Sequence, residues 1–526
     1  MRLLKKEKKA LVSIFLLYVM TQGLILFVSG RWFDDWCLVN ISNQGLIQWS
    51  LETGRPSIFP ISALVRDFPR IYKVGIFLAY YMVAVCFYLL IRKIFKMDLN
   101  DALMVCFIYL CLPINDVRII RSAMPYTIGL MLWFLAFCIL VYKYDNLNFF
   151  LRLLTLLLFF VSFILNSLLV FYGLVLLYII IMERRSLKKI LFKIDFFIIP
   201  FAFFLCKQFF FPAHGVYSSY NEVSISSIFS AVKVTFYAFF IIFKDILLAL
   251  IETMRRFNVM LGTLVFALIV SIGIKYFTVA DSSEKGKNTD RFIAIEFLVG
   301  FLTILAGIYP YAVVVPHSRV FTAVGFNGRF SMLVPFGWAI IIDAILKFSC
   351  KREGRIAIMV GLMIAGTIHF TKWYSVYQSN YYWERGLQVC LSENSNLENV
   401  KTVYFEGTGM INTGTNASWY ELNGVFEEVF GNENRLVVGS SELENVHNFV
   451  DQSVIEREWY NMTGYDGNYN EIDVVILYSN TINLREGMRL RLLEIIGQDI
   501  ESELIEKASF KVIFPEDKEF SSYVTF

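Results

Sequence analysis

Charge is scarce in this sequence. Only 18% of its 526 residues are Asp, Glu, Lys or Arg, while 57% are hydrophobic. A soluble chain carries about a quarter charged residues, so a soluble globular protein is excluded. No Cys-x-x-Cys and no Cys/His cluster occurs. Cys86, Cys106, Cys111, Cys138 and Cys206 lie inside apolar runs, where cysteine acts as a small hydrophobe, which argues against a thiolate metal site. No basic domain with interleaved aromatics is present, so nucleic acid is not expected as a partner. The net charge of +3 says little about other partners. No convincing small-x-small cleavage site follows the first apolar run, which reads as a retained span with a cytoplasmic N-terminus. Gly407-Thr408-Gly409 with Gly414 follows a strand-like run, but its spacing is not the dinucleotide fingerprint.

What is present is a series of apolar runs broken by short charged clusters, the pattern of a polytopic α-helical membrane protein. Spans are expected near 10–30, 71–91, 99–113, 125–142, 148–165, 167–182, 194–211, 258–274, 292–311, 329–346 and 356–373. Basic clusters mark one side: Lys5 to Lys9, Arg92-Lys93 with Lys96, Lys143, Arg184-Arg185, Lys188-Lys189, Lys285 with Lys287, and Lys347 with Lys351-Arg352. Residues 229–251 are apolar but carry Lys233, Lys244 and Asp245. Reading them as an interfacial or re-entrant helix keeps every basic cluster inside. The result is about 11 transmembrane helices in residues 1–379, in a multi-pass protein of the cell membrane. Asp195, Lys207 and Asp343 lie close enough to span ends to snorkel.

Residues 380–526 change character. Short β-branched runs (401–405, 436–438, 473–477, 510–514) alternate with helical patterns (419–430, 485–496). This predicts a small C-terminal α/β domain with a mostly parallel sheet, placed extracytoplasmically by the charge rule. Asn416-Ala417-Ser418 and Asn461-Met462-Thr463 fit a glycosylation pattern that chance often supplies.

Three loops then share the outer face. The first, 31–70, begins with adjacent acids Asp34 and Asp35, and its middle, Leu38 to Leu51, predicts an amphipathic helix. The second carries Asp116, Arg118 and Arg121; the third carries His317 and Arg319, with Arg329 at the next span's edge. A carboxylate at the membrane surface can deprotonate an acceptor hydroxyl or help hold a divalent metal. Asp34, Asp35 and Asp116 are the candidates for both roles. Arg118, Arg121, His317, Arg319 and Arg329 are the candidates for holding a phosphate or diphosphate. The bland alternatives are solvated acids, arginines paired with lipid phosphates, a helix cap at Asp116 and a structural hydrogen bond at His317.

The layout resembles the GT-C class of integral membrane glycosyltransferases. Phe33-Asp34-Asp35-Trp36 fills the place of that class's acidic motif after the first span. Asp116 matches the further acid many members carry between the third and fourth spans. Gly328-Arg329-Phe330-Ser331-Met332-Leu333-Val334-Pro335 looks like the Arg-aromatic…Pro stretch of several member families. The resemblance implies a polyprenyl-phosphate sugar as donor, a glycan or lipid acceptor of the cell envelope, and an outward active site. No WWDYG-type signature appears, which argues against the oligosaccharyltransferase branch. A polymerase or ligase of diphosphate-linked oligosaccharides, or a lipid or polysaccharide transporter, are the alternatives. The first would usually place its large loop late in the membrane part, and the second would show span repeats.

Overall fold

The computed structural model describes residues 2–69, 71–218, 223–255, 289–314, 321–410, 418–431, 434–439, 458–468 and 471–523. The chain is a mostly helical membrane protein with a small C-terminal sheet. Its helices are α1 (Arg2–Gln22), α2 (Asp35–Val39), α3 (Asn43–Glu52), α4 (Phe59–Asp67), α5 (Ile71–Ile94), α6 (Leu99–Cys111), α7 (Met124–Tyr142), α8 (Phe149–Ser162), α9 (Ser167–Phe171), α10 (Gly173–Glu183), α11 (Leu187–Leu191), α12 (Ile194–Phe210) and α13 (Ile225–Arg255). They continue with α14 (Thr289–Val313), α15 (Val334–Ser349), α16 (Arg352–Ser392), α17 (Trp419–Phe430), α18 (Leu484–Ile495), α19 (Glu501–Glu506) and α20 (Phe520–Tyr523).

Among the described residues, six helical segments are long and apolar enough to cross a membrane: Lys6–Leu26, Ile71–Ile94, Arg121–Tyr142, Ile225–Thr253, Phe292–Val313 and Arg352–Ser392. The expected count of about 11 is not supported. The 13 residues of α6 span only about 20 Å, short of a ~30 Å hydrocarbon core. The expected span at 167–182 breaks at Tyr172 into α9 and α10. The one at 258–274 lies outside the described residues.

Bare backbone lets helices approach closely. A Cβ on Gly337 of α15 would lie 2.5 Å from the Gly300 carbonyl oxygen of α14, and one on Gly366 of α16 would lie 2.6 Å from Cys111 Cα of α6. Small residues at such crossings are the usual means of packing helices in lipid.

The bundle has two chemically different ends. At one, basic residues collect: Arg92 pairs with Glu7, Lys93 lies over the Tyr142 ring, and Arg355 pairs with Asp101 at 2.8 Å. Asp343, expected to snorkel, is instead fully buried there, 2.7 Å from Lys347. Lys347 also pairs with buried Glu296 at 2.9 Å. Arg355 lies 3.4 Å from Asp343, so two cations tie four helices together through three acids. The other end carries the first loop, residues 114–123 and 321–333, and the sheet.

Three contacts of α13 fall at this second end. The Ile228 carbonyl accepts from Tyr309 Oη at 3.2 Å, Asp245 accepts from Ala323 N at 3.2 Å, and Glu252 pairs with Lys372 at 2.9 Å. Although α13 is long enough to span, both of its halves are tethered to the loop-bearing end.

The sheet has strand order β2-β1-β3-β4, with β1 (Thr402–Thr408), β2 (Leu436–Gly439), β3 (Val474–Asn480) and β4 (Ala508–Ile513). β1 runs parallel to β2 and β3, and β4 pairs antiparallel with β3. The expected boundary at residue 380 falls inside α16, whose 41 residues run without a break from the bundle onto the sheet. Trp383 and Leu387 of α16, Leu422 and Phe426 of α17, and Val403, Phe405 and Ile476 of the strands form one apolar core. Trp36 of the first loop inserts into that same core. The first loop and the sheet are therefore packed as one body.

Candidate functional site

The turn that begins the first loop is built by aromatic anchors. Trp32 donates its indole N–H to the Tyr377 carbonyl at 3.1 Å. Phe33 stacks on Phe326 with ring centroids 4.2 Å apart. Phe33 is held at φ 55°, a conformation uncommon for a bulky residue and of the kind that clusters at functional sites. The turn sends the two following acids in opposite directions.

Asp35 is fully buried. Its carboxylate accepts from Trp32 N at 3.3 Å and from Ser122 N at 2.9 Å, which ties the first loop to the second. Burial pushes its carboxyl up to about 6, against the pull of Arg121 and these N–H donors. Asp34, at the N-cap position of α2, stays about one-third exposed, with Arg329 Nη1 3.3 Å from its Oδ2. Its Oδ1 accepts from Tyr420 Oη of α17 at 3.2 Å. The Arg329 guanidinium is itself held over the Phe326 ring at 3.6 Å.

Asp116 ties the second loop to the third. It is fully buried, and its Oδ1 accepts from Gly325 N at 2.9 Å. Its Oδ2 has no hydrogen-bond partner among the described residues. Burial raises this carboxyl to about 7. Beside it, Asn115 takes the left-handed conformation at φ 59° and donates its N–H to the Ala323 carbonyl at 2.9 Å. Arg118, expected to hold phosphate, donates instead to the Asn115 and Ile114 carbonyls, both at 2.8 Å. Its guanidinium is buried between Tyr80 and Phe370, 5.0 and 4.9 Å from their centroids. It closes its own loop. His317 and Arg319 lie outside the described residues.

Arg121 is placed differently. It lies over the Tyr72 ring at 5.1 Å and borders a cavity of about 650 Å³ between the 26–31 segment, α5, α16, α17 and α18. Arg31, Lys73, Arg385 and Arg491 border the same cavity, against two acids among the described residues, Glu384 and Glu428. Leu26 and Val74 supply an apolar edge on the bundle side. Arg31 pairs with Glu428 at 2.6 Å, and Arg491 pairs with Glu494 at 2.6 Å while donating to the Phe27 carbonyl at 2.8 Å. Sequence reasoning missed these four cations because they come from two span ends and from the segment read as a separate domain. Trp36 also borders the cavity, so the cavity and the acid pair share one short stretch of chain.

The acids do not assemble a metal centre. Asp34, Asp35 and Asp116 each bond to different partners, and no three His, Cys, Asp or Glu side chains converge among the described residues. A divalent ion therefore does not fit these three carboxylates as placed. A further acid that sequence reasoning missed is Glu421, buried next to Tyr420. Burial raises it to about 8, and the Asp34 charge adds to that rise. Asn461, within a glycosylation pattern, is buried and donates its amide to the Trp36 and Tyr420 carbonyls at 3.2 and 3.1 Å. It is a tether between loop and domain, without the exposure a glycan would need.

No protein-family model and no curated protein sequence matches this chain.

Proposed function

We propose that this protein is a membrane glycosyltransferase of the GT-C kind. It moves a sugar from a polyprenyl-phosphate donor to a glycan or lipid acceptor of the cell envelope. The observation that carries this reading is the cavity bordered by five cations, with an apolar edge toward the bundle and Asp34 on the loop beside it. Guanidinium groups match phosphate oxygens, and the apolar edge suits the start of a lipid tail. By the positive-inside rule the basic end faces the cytoplasm, which puts Asp34 and the sheet on the outer face.

In this reading Asp34 is the base. Asp35 has both oxygens engaged by backbone N–H groups in a buried site, whereas Asp34 meets solvent and two side chains. The acceptor hydroxyl gives its proton to the Asp34 carboxylate and its oxygen forms a bond to the anomeric carbon. The bond from that carbon to the phosphate oxygen breaks, and the lipid phosphate leaves with the electron pair. Arg121, Arg491 and their neighbours offset the charge that develops on the leaving phosphate. Arg329 holds the Asp34 carboxylate in place.

The test uses full-length protein in nanodiscs with radiolabelled polyprenyl-phosphate monosaccharides and cell-envelope acceptor. Label should pass to the acceptor, and Asp34→Asn should lower the rate at least ~100-fold without changing the melting temperature. Full activity in Asp34→Asn, transfer only from diphosphate-linked donors, or donor movement across the bilayer with no covalent product would overturn the proposal.

A further inference from the structure

A second pocket, of about 210 Å³, opens between α3 and the Glu458–Tyr460 turn. It differs in character from the phosphate cavity. Among the described residues no basic side chain borders it; its rim is aromatic, amide and carboxylate. The amphipathic helix expected over Leu38 to Leu51 is broken between Val39 and Asn43, and its later part forms α3, whose periodicity builds one wall. Gln44, Gln48 and Glu52 recur every four residues and so share a face, with Trp49 beside them. Trp459 comes across from the C-terminal domain and stacks on Trp49, with ring centroids 4.1 Å apart and planes 6° off parallel. Trp49 donates its indole N–H to Tyr217 Oη at 3.2 Å. The Glu458 carboxylate accepts from Ser42 N at 2.8 Å. Gln48 donates to Glu52 at 3.1 Å, so the amide and carboxylate are already aligned along the helix.

These groups fit a neutral polyol with an apolar face. Amides donate and accept, and carboxylates accept from hydroxyls. Aromatic rings supply a flat surface for carbon-bound hydrogens. Among the described residues a phosphate would meet two carboxylates and no cation. The pocket also lies close to Asp34. Tyr460 borders it, the Tyr460 and Tyr420 rings are 6.3 Å apart, and Tyr420 donates to Asp34.

We propose that this aromatic pocket binds a pyranose ring of the acceptor glycan, holding the acceptor near Asp34. The word acceptor rests on the sugar-transfer reading; saccharide binding here does not. The probes are cellotetraose, chitotetraose and maltotetraose, titrated into full-length protein in nanodiscs. Saturation-transfer NMR on the sugar and tryptophan fluorescence report binding, and polyprenyl phosphate binding is measured in parallel.

At least one tetrasaccharide should bind saturably. Gln44→Ala with Gln48→Ala, at exposed positions, should weaken it about tenfold by removing two hydrogen-bonding amides, and Trp459→Ala should abolish it. Polyprenyl phosphate binding should be unchanged in both variants. If no tetrasaccharide binds, if binding is indifferent to the double glutamine variant, or if choline competes for the pocket, the assignment is overturned. Saccharide binding that persists while polyprenyl phosphate fails to bind leaves the pocket standing and removes the donor reading.

Discussion

Replacing Asp116 by Asn distinguishes a buried structural acid from a catalytic one. The folded chain keeps the Asp116 proton to about pH 7, because burial penalises the charge, while an unfolded chain releases it near 3.8. Between those values the native state binds more protons than the unfolded state, so this group's contribution to stability falls as pH rises. It is fully present below about pH 4 and lost on passing pH 7. From pH 5 to pH 8 the loss is about 3 kcal/mol. Asparagine keeps the oxygen that accepts from Gly325 N and cannot ionise. The melting temperature of Asp116→Asn should therefore match that of the parent near pH 5 and exceed it by a few degrees at pH 8, in nanodiscs at fixed salt. Asp35 and Glu421 titrate in the same direction, so the difference between variant and parent, not the parent's own slope, is the quantity to read. A difference that stays flat with pH would refute the reasoning and return Asp116 to the list of ionised, chemically available acids.

The other end of the bundle offers a charge-balance test. Lys347→Met leaves Asp343 and Glu296 buried with one partner fewer, and should cost about 3–5 kcal/mol of stability, read as a lower melting temperature that Asp343→Asn partly restores; an unchanged melting temperature would count against the buried cluster. The helix crossing can be probed by Gly366→Val, whose side chain would meet the Cys111 backbone and should cost about 1–3 kcal/mol or more. Gly361→Val, where no atom lies within 4 Å of the added Cβ, is its control, and equal effects would sink the argument from close packing.

Much of the site's framework is legible in the chain, but not the division of labour within it. The acid pair after the first span, the amphipathic stretch within the first loop and the four strand segments follow from local patterns, and each appears near its expected place. Arg118 and Arg121 look alike in sequence, three residues apart on one loop. The fold turns Arg118 inward onto the Ile114 and Asn115 carbonyls and leaves Arg121 on a cavity. Lys73, Arg385 and Arg491 gave no local signal, because a cation at a span edge or on a helix surface is usually only solvated. Asp343 misled in the other sense: its position near a helix end suggested escape to water, and it is instead buried against Lys347 of its own helix and Arg355 of the next.

Hydropathy alone determined that this chain lives in a membrane, since stretches so poor in charge cannot be solvated as a soluble surface. Alternating β-branched and helical runs determined its small C-terminal sheet. Only the tertiary structure decided that Trp36 would enter that domain's core, that Asp34 would face solvent while Asp35 would not, and that five distant cations would border one cavity. The physical reason is that periodicity encodes which face of a segment avoids water, whereas the exposure and charge environment of a side chain depend on segments hundreds of residues away.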